Sequence, residues 1–171
     1  MITGHVERVA AALAASLLLA LQPAHAQAGP GEAKAAQDAQ NPAWHAQQQL
    51  YLLGLTPQDG WHFVDGGVRW RWITYLASDR KPTVADTVTV HYEGRLLDGT
   101  VFDSSYARGE PATFSLGRLV KGWQLAIPQM GVGETIEIAI PADLAYGPVG
   151  RGPIPPNATL VFKVELISIG D

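Results

Sequence analysis

The sequence predicts an α+β fold in which an antiparallel β-sheet carries a single short helix. Three features predict it. Apolar residues alternate with polar ones through most of the chain after Gly67, the period-two signature of half-buried strands. Only the segment from Gly122-Trp123 to just before Gly131 has helical character within that region. Turn signals such as Asp98-Gly99 separate the alternating runs, as hairpins require.

Read in order, the chain opens with Arg8 and a run rich in Ala and Leu from Val9 to Leu21, followed by Ala24-His25-Ala26. A short apolar run ending in small residues predicts a cleavable signal peptide over residues 1–26. The run falls short of the ~20 apolar residues that span a bilayer. The mature chain is therefore expected to start at Gln27, without a membrane anchor and in the periplasm. Residues 27–40 are Ala, Gln and Gly with scattered charges, the composition of a flexible leader. Asn41 to Leu53 predicts a short helix, with Asn41 as N-cap and Pro42 in the first turn. Residues 41–66 hold this helix and a connecting segment, and 67–171 form the main domain.

Within that domain, Val68, Trp70 and Trp72 share one strand face, and Val88, Val90 and Tyr92 share another. Alternation sends Tyr92 inward and His91 outward. Ala112, Phe114 and Leu116 repeat the pattern, as do Ile136, Ile138 and Ile140. A last strand over Ala158 to Ile169 places Leu160, Phe162, Val164 and Leu166 on one side. Such a sheet is expected to be covered on one face.

Composition removes several function classes. With 12 Lys+Arg against 16 Asp+Glu, the net charge is -4, without the basic footprint of a nucleic-acid binder. There are no cysteines, so neither disulfides nor thiolate metal sites are expected. His45, His62 and His91 lack ligand spacing, Ser104 and Ser105 occupy a turn-like stretch without a nucleophile elbow, and no glycine loop suits a phosphate. No metal or cofactor is expected. Any enzymatic reaction here must proceed without an activated nucleophile.

What stands out is a series of aromatic residues in glycine-punctuated strings: VTVHYEGRLLDGTVFDSSYARG at 88–109, LVKGWQLAI at 119–127 and LAYGPVGRGPIPPNATLVFKVELISI at 144–169. In this order and spacing the chain resembles the FKBP-type peptidyl-prolyl cis–trans isomerases from about Lys81 to Ile169. The resemblance implies a twisted antiparallel sheet wrapped around one short helix. It implies catalytic roles for Tyr92, Phe102, Asp103 and Tyr146. It also implies a proline-binding site lined by Arg108, Leu119, Val120, Trp123, Ile154 and Phe162, with Trp123 as the floor. Proline-containing unfolded or exported polypeptides are the implied partners, and macrolides the implied inhibitors. Two positions depart from the family pattern. Many members carry Phe where Ala112 stands, and Pro128 falls inside the expected helix, where it must kink or shorten it.

The chemistry fits this residue set. Rotation about an X-Pro bond makes and breaks no covalent bond, yet crosses a barrier of about 18–20 kcal/mol set by amide resonance. A dry aromatic pocket disfavours the charge-separated planar amide more than the twisted one, and flat rings grip a pyrrolidine ring without polar demands. Phe114 and Trp70 read as ordinary core, and Pro153, Pro155 and Pro156 as rigid loop positions. Two other functions use the same residues differently: a non-catalytic chaperone or peptide-binding module working through the pocket, and an interaction subunit working through the Asn41–Leu53 helix. A monomer is the expected state.

Overall fold

The Asn41 side-chain Oδ1 accepts the Ala43 N–H at 2.9 Å, and Pro42 opens helix α1 (Pro42–Gly54). The computed structural model describes residues 41–170; the expected signal segment and leader lie outside the described residues. After α1 come β1 (His62–Phe63), β2 (Arg69–Thr74), β3 (Thr87–Arg95), β4 (Val101–Ser104), α2 (Ser105–Arg108), β5 (Ala112–Ser115), α3 (Lys121–Ala126), β6 (Thr135–Ile140) and β7 (Leu160–Gly170).

The strands form one 7-stranded sheet in the order β1-β2-β6-β7-β3-β4, every pair antiparallel. β5 shares the β3 edge with β4, pairing with Thr87 to Val90 while β4 pairs with Glu93 to Arg95. β3 therefore touches three strands, and its alternation is the most regular in the chain, with Val88, Val90 and Tyr92 buried and His91 half-buried. The four-residue helix α2 turns β4 back into β5. It occupies the stretch read from sequence as a plain turn, because Ser104 caps it by accepting the Ala107 N–H at 3.2 Å and Gly109 ends it at φ 78°.

α3 lies against the sheet and is only six residues long. Pro128 explains its length: the chain leaves the α-helix at Ala126 and makes a 3₁₀ turn over Ile127–Gln129, where proline falls in the first turn. The missing N–H and the ring clash that would break a helix interior cost little there. Gly122 brings α3 close, since a Cβ at that position would overlap the Ile140 side chain of β6. The core between α3 and the sheet includes Val88, Val90, Ala126, Ile127, Met130, Ile136, Ile138, Leu160, Val164 and Leu166.

Two features go beyond the alternation. The sheet begins earlier than its pattern indicates, because His62 and Phe63 pair with Trp70 and Arg69. Its second face is also closed at β6, where all six residues are buried; a single covered face does not describe it. On that face Glu137 accepts from Arg71 Nη2 at 2.7 Å and from Arg95 Nη2 at 2.6 Å. Pairing with arginines from the adjacent β2 and from β3, two strands away, lets the carboxylate be buried. Tyr51 of α1 lies against this cluster, and its phenol is raised above the usual value by burial and by the Glu137 charge. Gln48, also from α1, is buried and accepts the Thr159 N–H at 2.9 Å. α1 thus packs on the domain.

Candidate functional site

Between α3, the C-terminal half of β3 and the segment after β6 lies a cavity of about 390 Å³. The strand pleat supplies its first wall. Tyr92 points inward from β3, and Phe162 from β7 sits opposite Gly94 in register. Gly94 is required by packing: a Cβ there would stand 2.6 Å from the rings of Phe102 and of Phe162. These two rings meet edge to face at 5.6 Å.

Trp123 forms the floor. It is the third residue of α3, only 4% exposed, and three rings stand on it edge-on: Phe162 at 5.3 Å, Tyr92 at 5.5 Å and Phe114 at 6.3 Å. Leu119 and Val120 precede α3 and line the entrance, and Tyr146 and Ile154 come from the loop between β6 and β7. The shortened α3 leaves the floor tryptophan firmly packed.

One polar cluster interrupts the apolar lining. Asp103 accepts from the Tyr92 hydroxyl and from Arg108 Nη1, while Arg108 Nη2 donates to the Tyr92 hydroxyl at 3.1 Å. Burial alone would raise the Asp103 carboxyl; the two donated hydrogen bonds and the Arg108 charge outweigh it and hold the group below its usual value. Burial, reinforced by the Asp103 acceptor, raises the Tyr92 phenol. Asp103 is thus ionised and Tyr92 protonated at neutral pH, with both groups already committed to each other. Among the described residues, the Tyr146 hydroxyl has no such partner and remains available as a donor.

Among the described residues, none that lines the cavity is a Ser, His or Lys. A His91–Ser105 contact of 3.0 Å lies nearby, but Ser105 is fully buried behind β3. Its Oγ accepts the Tyr92 N–H at 2.7 Å and donates to the Tyr92 carbonyl at 3.2 Å. With its proton used, the hydroxyl can only accept from His91 Nδ1. This pair clamps α2 to β3 and is not an activated nucleophile.

The structure brings the residues named from sequence into one place: Tyr92, Phe102, Asp103, Leu119, Val120, Trp123, Tyr146, Ile154 and Phe162 all line the cavity. Arg108 stands behind the wall, bonded to two of them. Trp70 lies in the core as read. Phe114 needs correction, since it is only partly buried and lines the cavity. Its same-face neighbour Ala112 carries only a methyl group. Arg151, Gly152 and Pro153 also line the site. Arg151 was missed because a lone arginine between glycines carries no pattern; its place just before the proline-rich string was the available signal.

Residues 78–167 match the family model described as FKBP-type peptidyl-prolyl cis-trans isomerase. The chain is 56% identical over 126 residues to the outer membrane protein MIP of Legionella longbeachae, covering 72% of this chain and 53% of that one. It is 52% identical over 127 residues to FK506-binding protein 2 of Debaryomyces hansenii, covering 71% and 91%. The crystal structure of FkpA from Escherichia coli superposes with a TM-score of 0.71 at 36% identity, over 81% of this chain and 63% of that one. The chain spans about half the length of its Mip-type relatives, 53% of the Legionella protein and of the Coxiella burnetii isomerase Mip.

Proposed function

The chain belongs to the FKBP-type peptidyl-prolyl cis–trans isomerases, and from that premise we propose that it rotates X-Pro bonds of polypeptides in its aromatic cavity. The observation that carries this reading is the convergence of Tyr92, Phe102, Trp123 and Phe162 on one cavity that also holds Asp103 and Tyr146. A proline ring enters over Trp123. The planar amide, more charge-separated than the twisted one, is destabilised as it leaves water, so the barrier to rotation falls. Each tenfold acceleration needs only about 1.4 kcal/mol of that difference.

Each polar group has a role in orientation. The Tyr146 hydroxyl donates to a substrate carbonyl, while Leu119 and Val120 hold the peptide at the entrance. Asp103, fixed by Tyr92 and Arg108, sets the local field and transfers no proton. The same cavity accepts macrolide inhibitors, a reading supported by the similarity to FK506-binding protein 2.

The clients are exported proteins folding in the periplasm, and the protein acts as a monomer. Supporting the exported role are the apolar run Val9–Leu21 with Ala24-His25-Ala26 and the likeness to the outer membrane protein MIP. Refolding of a protein limited by prolyl isomerisation tests the function. Substoichiometric amounts of the chain should accelerate the slow phase, which uncatalysed takes tens to hundreds of seconds, and a macrolide should abolish the effect. A slow phase unchanged at equimolar protein would contradict the reading.

A further inference from the structure

We propose that Arg151 makes this site selective for prolines flanked by an acidic residue; the inference rests on the isomerase reading above. Among the described residues, Asp103 and Arg151 are the only charged ones lining the cavity, and they differ in one respect. Asp103 is neutralised in place by Arg108. Arg151 is exposed, and among the described residues no carboxylate pairs with it. The cavity therefore presents one uncompensated positive charge at its rim.

That charge is held in position. The Arg151 N–H donates to the Ile154 carbonyl at 3.0 Å, and the Ile154 N–H donates back to the Arg151 carbonyl at 3.0 Å. Gly150, at φ 70°, tucks under the same hairpin, where a Cβ would overlap the Ile154 carbonyl. The guanidinium stands 5.6 Å from the centre of the Tyr146 ring, a cation–π distance that fixes its stem over a lining residue. Ile154 and Tyr146 both line the cavity, so a proline seated there brings its neighbouring side chains within reach of Arg151. A guanidinium fork matches a carboxylate in two parallel hydrogen bonds. It repels a lysine at the same place.

The test compares catalysed exchange for peptides that differ only by Glu, Gln or Lys, in one set before the proline and in another after it. An exposed charge pair predicts kcat/KM for Glu about threefold above Gln in one of the two sets, with Lys below Gln. The Glu:Gln ratio should fall towards one as salt is raised to about 0.5 M. Arg151→Gln should bring the ratio to one, and Arg151→Glu should reverse the order so that Lys leads. Because each ratio is taken within one variant, a general loss of fold or rate cannot imitate the result. Equal rates for Glu and Gln peptides in both sets, or a preference that Arg151→Gln retains, would overturn the assignment. No catalysis of any peptide would overturn the isomerase reading, and this inference with it.

Discussion

Asp103 and Tyr146 are the two polar residues of the cavity lining whose roles separate most cleanly. Asp103 is a fixed acceptor: the Tyr92 hydroxyl and Arg108 both donate to it, so its substitution strips two neighbours of a partner. The Tyr146 hydroxyl has no hydrogen-bond partner among the described residues, which suits the donor role proposed for it. Tyr146→Phe should lower kcat/KM about three- to tenfold, the value of one net hydrogen bond, with the melting temperature unchanged. Asp103→Ala should also weaken isomerisation, and it should leave the fold intact because its ion pair is about half exposed, 42% at Asp103 and 45% at Arg108, where such pairs add little. Peptide exchange and thermal unfolding of the two variants check this. Unchanged exchange rates in both would refute the roles assigned here.

At the scale of elements, the loop from β2 towards β3 depends on a single carboxylate. Glu134, 1% exposed, accepts the N–H of Gly131 at 2.9 Å, of Leu76 at 3.0 Å and of Ser78 at 3.4 Å, and the Trp72 indole at 3.2 Å. Burial alone would raise this carboxyl. The donors outweigh burial and lower it below its ordinary 4.5. A group whose folded value is depressed stabilises the fold above its unfolded value and loses that contribution as pH falls through the folded one. Glu134→Gln, which turns an amide N–H towards those donors, should cost about 2 kcal/mol at neutral pH. In urea unfolding the gap between wild type and variant should narrow on acidification below about pH 4. A gap of constant size down to pH 3 would contradict this account of the loop.

Across the whole molecule, what was legible in the sequence followed periodicity and local chemistry. The alternation of Val88, Val90 and Tyr92 placed β3, Asn41 and Pro42 placed α1, and Pro128 foretold a kinked or shortened α3, of which the structure has the second. What escaped depended on contacts between distant segments. The burial of Glu137 rests on Arg71 and Arg95 in other strands, and α1 closing that face could not be read from its own residues. Phe114 read as core because its pattern is that of any inward strand residue; whether such a ring meets a core or a cavity depends on its neighbours, here Ala112 and Trp123. Arg151 was hidden because the rim hairpin that presents it becomes evident only once Gly150 and Ile154 are seen in contact. The central claim is that this cavity lowers the barrier to prolyl rotation without a nucleophile. Its most direct test is magnetisation-transfer spectroscopy of a short proline peptide, measuring cis–trans exchange with and without the protein. Exchange should rise from the uncatalysed rate, slower than about one event in ten seconds, to many per second at stoichiometric protein. An unaltered rate with bound peptide would contradict the claim and leave the cavity a binding site alone.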